Sequence, residues 1–477
     1  MSQLETVEDA PPPTATPPPQ LERGIGLLQA ASLNIANMVG IGPFITIPIF
    51  LAAMGGPQAM VAWVVAAVLV LCDGLVWSEL GAALPGSGGS YHFLKQTFGL
   101  YRWGQIVPFL FIWQFLISGT LELASGYIGM IDYVKYVFPG MDPALRRHYV
   151  PGGAKVVAAL TVILVTAMLC RRIRTVGWLA VALCAGTLVT VLAVIVSGLT
   201  HFDRSLLTMP PNAFHINLAW VIGIGGAMRI AVYDYLGYFN VCHLGDEVRD
   251  PGKTIPRAVI LSVLVVAALY LTMNVSIIGV VPWREAMASE NVASLFMERL
   301  FGRKAAVAFT GLIVWTALAC LFAATLAYSR IPYAAARDGD FFRVFARVHP
   351  TKKYPTVALF SLSALTAAFC FLSLDLVINA AVSVRIVVEF IGQIAALHIL
   401  RTQRPDVPLP FRMWLYPIPS FLALVGWVFM FVTSGRLVLL VGAVVIVLGV
   451  IVFFVRQWIA PAPPPPLAEG PRGFPLD

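Results

Sequence analysis

Six ionisable side chains stand inside long apolar stretches of this 477-residue sequence: Asp73, Glu122, Asp234 and Glu389 against Arg229 and Arg385. An ionisable group in the middle of a bilayer is expensive and by default marks a substrate or proton path. Arg385 and Glu389 have the i,i+4 spacing at which two side chains of one helix pair, which predicts a structural salt bridge. That leaves Asp73, Glu122 and Asp234 against Arg229. A bare carboxylate in a low dielectric takes a proton, binds a cation or meets a cationic ligand. The acid surplus therefore points to proton coupling or an amine-bearing ligand. Asp234 ranks first and Glu122 second, while Asp73 has the alternative of hydrogen-bonding a neighbouring helix. Arg229 is expected to pair with Asp234 or Glu122, or to meet a ligand carboxylate.

Two apolar stretches are interrupted. In the first, Val39, Gly40, Ile41 and Gly42 precede Pro43. Glycine and proline here break the backbone ladder, and Pro43 fits the first turn of a new half-helix. The amides of Gly40, Ile41 and Gly42 would then face a cavity from a positive helix end, which suits a carboxylate. In the sixth stretch, Gly223, Gly225 and Gly226 precede Arg229, Tyr233, Asp234, Gly237 and Tyr238. Unwinding is expected there, freeing carbonyls for an amino group near Asp234 or Glu122. Interrupted helices at corresponding positions of two halves mark an inverted-repeat carrier with a central site. Tyr233, Tyr238 and Trp113 are expected to line the pocket and stack on a cation. Glu79, near the inner surface, is expected to form a gate with Lys95 or Arg330 that breaks on opening.

The elements that position these residues are membrane helices. The chain is 59% hydrophobic and 12% charged, where a soluble chain carries about 25% charge. That balance excludes a cytosolic enzyme and a disordered chain. A span needs about 20 apolar residues. Runs of that size lie near 25–52, 57–84, 103–135, 153–170, 175–199, 216–243, 256–282, 303–330, 354–373, 375–400, 414–434 and 436–459. They do not alternate, so a β-barrel is excluded. The prediction is an all-α bundle of twelve transmembrane helices.

The net charge of +8 sits in short Lys/Arg clusters between these runs. The clusters favour the segments on the side of the N-terminus two to one, which places both termini in the cytoplasm and argues against a nucleic-acid partner. The six cysteines lie in apolar runs without CxxC spacing, so no disulfide framework or metal site is expected. Residues 1–22 and 461–477 read as disordered Pro-rich tails flanking one domain, 23–460. No P-loop is present, and the Gly223–Gly226 run lacks the preceding strand of a dinucleotide site. Gly86–Ser90 lacks the strand–turn–helix context of a nucleophile elbow. No enzyme activity and no cofactor are expected. His92, His243 and His398 fall at inner ends or loops and are not expected to relay protons.

Four motifs, in order, resemble the amino acid–polyamine–organocation (APC) superfamily. Met38–Phe44 (MVGIGPF) is similar to its first-helix G-S-G-I-F break. Glu79–Tyr91 (ELGAALPGSGGSY) matches E-L-G-x-x-x-P-x-S-G-G-x-Y. Asp246–Arg257 (DEVRDPGKTIPR) and Ser329–Gly339 (SRIPYAAARDG) match the loops after spans 6 and 8. Val176–Val181, and Glu122 ahead of Asp132–Lys135, lean toward the polyamine-uptake and L-type permease branch. The resemblance implies twelve helices in a five-plus-five inverted repeat with helices 1 and 6 broken. It implies a secondary active transporter in the plasma membrane (the inner membrane of a bacterium). Such a carrier moves an amino acid or related amine by alternating access, by proton symport or exchange, with the ligand between spans 1, 3, 6, 8 and 10. A polyamine uptake permease and a non-transporting metabolite sensor are the alternatives. Three departures stand out. Ile41 replaces the usual Ser. The span-5 Lys of some bacterial members is absent, with Thr187 and Thr190 nearby. Asp234 stands where the branch often carries Asn, and Phe239 where it carries Asp.

Overall fold

Helix occupies every one of the twelve apolar runs where the chain is described. The computed structural model describes residues 21–99, 101, 104–138, 153–211, 213–289, 291–372, 385–433 and 436–459. Both Pro-rich tails lie outside these residues, apart from residues 21 and 22, as do Arg102, Arg146, Arg147 and Arg472 and the start of the tenth run. Among the described residues the only β pairing is in isolated bridges.

The first run is two helices, α1 (Leu27–Met38) and α2 (Gly42–Met54), bent by 44° at the break. Then follow α3 (Met60–Ala83), α4 (Ser90–Phe98), α5 (Ile106–Val137), α6 (Gly153–Leu169), α7 (Ile173–Thr200) and α8 (Leu218–Tyr235). Next come α9 (Pro251–Ile278), α10 (Trp283–Ala288), α11 (Val292–Tyr328), α12 (Arg330–Arg337), α13 (Thr356–Phe369), α14 (Gly392–Gln403), α15 (Ile418–Val432) and α16 (Arg436–Ile459). A π-helical turn, Ile386–Ile391, leads into α14.

Five described helices are long and apolar enough to cross a bilayer: α3 with its preceding turn, α5, α7, α9, and α11 continued into α12. The bent pair α1/α2 makes a sixth. α6, α13 and α15 are shorter apolar helices. In α11, Gly302 sits at φ 79°, a conformation that glycine adopts without steric cost, and divides a leading segment from the apolar one.

The sixth run breaks later than its glycines predict. Gly223, Gly225 and Gly226 are helical within α8, and the helix ends at Tyr235. The glycines instead permit close packing. A Cβ at Gly223 would press on the Ala53 carbonyl, and one at Gly225 would collide with Thr433. The chain unwinds over Leu236–Phe239 and re-forms a short turn at Asn240–His243.

Candidate functional site

The two breaks meet. Tyr270, on α9, places its hydroxyl 2.6 Å from the Met38 carbonyl and 3.2 Å from the Asp234 carbonyl, the two helix ends that lose their ladder partners. Asn34 holds the unwound segment after α8. Its Nδ2 donates to the Tyr238 carbonyl at 2.5 Å, and its Oδ1 accepts from the Val241 amide at 2.9 Å. Cys320, on α11, donates through Sγ to the Asn37 carbonyl at 3.0 Å. The sequence reading missed these clamps. Asn34 and Asn37, two buried amides in the mostly apolar α1, were the available signal.

Asp234 is the centre of the site. It is buried, and its Oδ2 accepts a 2.5 Å hydrogen bond from Thr46 Oγ1 on α2. Its Oδ1 has no hydrogen-bond partner. That oxygen faces Gly42, where an added Cβ would collide with it. The acid therefore lies against the N-terminal turn of α2, where the helix end favours negative charge. The Gly40 amide is bonded to the Met38 carbonyl at 2.9 Å, so it is not the open donor the sequence suggested. Ile41 and Gly42 are the remaining amides of that turn. Gly40 is still required, because a Cβ there would strike Cys320 Sγ. Gly237, at φ 111°, sits against Asn37.

Two small cavities of about 60 and 20 Å³ share Glu122, Tyr233 and Leu236. The first is bordered by Asn37, Gly40–Gly42, Asp234 and Cys320. The second is bordered by Arg229, Arg385, Phe390 and Trp427. Small-molecule pockets usually span about 300–1,000 Å³, so the site is closed around its own side chains in this conformation. Tyr233 is the aromatic common to both cavities, with its hydroxyl 3.2 Å from Ser125 Oγ.

Several predicted pairings are different in the fold. Arg385 keeps the expected i,i+4 ion pair with Glu389 at 3.9 Å, but its closer partner is Glu122, with Nη1 2.5 Å from Oε2. The pair with Glu389 spans the wider π turn after Arg385 and is the longer of the two. Tyr328 donates to Glu122 at 2.8 Å, and Arg385 Nε donates to Ser118 Oγ at 3.2 Å. Glu122 is thus a compensated acid. Arg229 pairs with neither Asp234 nor Glu122. Its Nη1 donates to the Thr433 carbonyl at 2.9 Å, because α15 packs beside α8. Asp73 accepts from the indoles of Trp77 and Trp427, each at 3.0 Å, and from the Tyr238 hydroxyl. It fastens α3 to α15 and to the unwound segment. Tyr238 is spent in that bond and lines neither cavity. Trp113 points to α16, donating to the Val445 carbonyl at 3.1 Å.

Glu79 is paired, but with Arg401 at 2.6 and 2.7 Å and with the Met413 amide at 2.7 Å, rather than with Lys95 or Arg330. Lys95 pairs with Asp340 at 2.7 Å and Asp338 at 3.2 Å. Arg330 grips Glu247 in a buried two-bond pair, both at 2.8 Å. Arg337 meets Asp246 at 2.8 Å. Burial works to raise the Asp246 carboxyl, but the Arg337 bond and charge outweigh it and hold it below the ordinary carboxylate range. Four ion-paired groups therefore close the loop end of the bundle. Thr187 is buried on α7, and Thr190 is spent on the Gly186 and Leu312 carbonyls.

Comparison with known proteins places this geometry. Residues 25–456 match the amino acid permease family. The chain is 27% identical over 410 residues to the human cystine/glutamate transporter, covering 84% of this chain and 78% of that one. It is 26% identical over 457 residues to the human large neutral amino acids transporter small subunit 2, covering 91% and 80%. It is 26% identical over 411 residues to the serine/threonine exchanger SteT of Bacillus subtilis, covering 85% and 90%. With two helix breaks joined around one buried acid and a family match across nearly its whole apolar length, the chain belongs to the amino acid permease family and is a membrane-embedded secondary transporter of amino acids.

Proposed function

We propose that the chain carries an amino acid by alternating access, with substrate and proton binding at one place, the α2 N-terminus beside Asp234. The observation that carries this is the contact of Asp234 Oδ1 with Gly42. A substrate carboxylate on the Ile41 and Gly42 amides would stand next to that oxygen. Two carboxylates in a low dielectric repel strongly unless one is neutral. Protonation of Asp234 removes the repulsion and leaves the helix end to the substrate. The proton then binds with the amino acid rather than against it, which is the linkage a symporter needs. The substrate ammonium competes with Tyr270 and Cys320 for the carbonyls at the ends of α1 and α8.

The Glu122–Arg385 pair bears on substrate class. With Glu122 compensated, Asp234 stands without a cationic partner and Asp73 is held by neutral donors. With Asp234 protonated beside the bound substrate, the site has no carboxylate left for a second ammonium, which favours an amino acid over a polyamine. Exchange is the second reading, favoured by the relative named as a serine/threonine exchanger. The proposed setting is a twelve-span inverted repeat in the plasma membrane, the inner membrane if the cell is bacterial, with both termini cytoplasmic.

The test is ligand-induced thermal stabilisation of purified protein by neutral, acidic and basic amino acids and by putrescine. Stabilisation by an amino acid, stronger at pH 5.5 than at pH 8, is expected. Stabilisation by putrescine alone, or by amino acids equally at both pH values, contradicts the reading.

A further inference from the structure

The bundle carries an open volume that shares no lining residue with the cavities around Asp234. Helices α6 and α13 pack together and are joined by a 2.7 Å hydrogen bond from Thr166 Oγ1 to Ser363 Oγ. Beside this bond lies a trough of about 890 Å³, walled by Val162, Ile163, Ala167, Phe360, Ala364 and Ala367. Ile163 and Phe360 are 62% and 50% exposed, so the walls face the bilayer and not the core. Alanine at 167, 364 and 367 leaves the trough unfilled.

Its end has different chemistry. Arg171, Arg172 and Lys352 border the same volume, where α6 gives way to α7 and where the chain enters α13. All three are exposed. Among the described residues none of them lies within salt-bridge distance of a carboxylate, whereas Lys95, Arg330, Arg337 and Arg401, which close the loop end of the bundle, all do. An apolar trough at the lipid face, ending on three uncompensated cations, matches both halves of one kind of molecule. Basic pockets between helices at the membrane surface bind anionic headgroups, and long basic side chains reach that level easily.

We propose that this trough is a binding site for an anionic phospholipid, with an acyl chain against Ile163, Phe360 and Ala364 and the phosphate on Arg171, Arg172 and Lys352. A free phosphate makes no use of the trough. A zwitterionic lipid brings an ammonium to three cations. The occupant stands astride α6 and α13, so it also braces the pair.

The experiment is native mass spectrometry of the full chain released from bilayers of equal phosphatidylglycerol and phosphatidylcholine with matched acyl chains. Preferential retention of phosphatidylglycerol is expected. At about 1 kcal/mol for each basic residue near the surface, the triple variant R171Q/R172Q/K352Q binds it weaker by on the order of a hundredfold. A control variant, K253Q/R343Q/R347Q, retains it. Ala364→Trp fills the trough with the charges intact and also loses it, which separates a built site from general surface attraction. Glycerol phosphate does not displace the lipid. Equal retention of the two lipids overturns the proposal, as does wild-type retention by the triple variant or by Ala364→Trp. If the triple variant is not monodisperse, Ala364→Trp and the single K352Q variant decide.

Discussion

Thr46 and Asp234 join the two broken runs through one short bond, Oγ1 to Oδ2 at 2.5 Å. The bond fixes one carboxyl oxygen and turns the other onto Gly42, where a Cβ has no room. Gly42→Ala therefore pushes Asp234 off the α2 N-terminus. Amino acid uptake by that variant in proteoliposomes is expected to fall at least tenfold with the protein still monodisperse. Uptake within twofold of wild type would show that the contact is dispensable.

The same argument applies at Gly40, where a Cβ meets Cys320 Sγ. Cys320 borders the central cavity. In a chain with Cys320 as its sole cysteine, a transported amino acid should slow labelling by a small membrane-permeant thiol reagent several-fold. Labelling indifferent to substrate would place the substrate elsewhere.

Arg385 and Glu122 form an ion pair that borders the second cavity, with Arg385 buried and Glu122 partly so. Removing one member of a buried pair costs about 3 kcal/mol because the other is left uncompensated. Arg385→Met is expected to lower the thermal midpoint in detergent by several degrees. Adding Glu122→Gln should recover part of that loss, so the pair couples in a double-mutant cycle. Additive losses would mean that the two groups do not act together.

The breaks were legible in sequence because glycine and proline have few other uses at such depth. Asp234 was legible because a lone acid in an apolar run is costly. The partners were not. Arg385 and Glu122 are far apart in the chain, and local spacing could show only the longer pair with Glu389. Glu79 found Arg401 for the same reason: which loop lies over which helix end is set by packing, not by neighbouring residues. Gly223, Gly225 and Gly226 misled because glycine serves both unwinding and close approach. The roles of Tyr270 and Cys320 depend on distant carbonyls, and no local pattern announces them.

Asp246 offers a control on pH. Its carboxyl is held low by Arg337 against the opposing effect of burial. A lowered folded value gives stability that is complete above the unfolded value and is lost only as pH falls through the folded one. The pair is partly exposed, so its contribution is small, below about 1 kcal/mol. The difference in thermal midpoint between wild type and Asp246→Asn is expected to stay flat from pH 8 to pH 5 and to shrink only in stronger acid. A difference that changes between pH 8 and pH 5 would mean that this loop pair titrates there. A flat difference excludes it as the source of any pH response of transport in that window.

The central claim is that Asp234 carries the proton that accompanies the substrate. The most direct measurement is uptake of labelled amino acid into proteoliposomes with and without an inward proton gradient, for wild type and Asp234→Asn. The account predicts accumulation driven by the gradient in wild type. It predicts that Asp234→Asn, permanently neutral at that position, still exchanges amino acid across the membrane but no longer responds to the gradient. A gradient response in Asp234→Asn equal to that of wild type would contradict it.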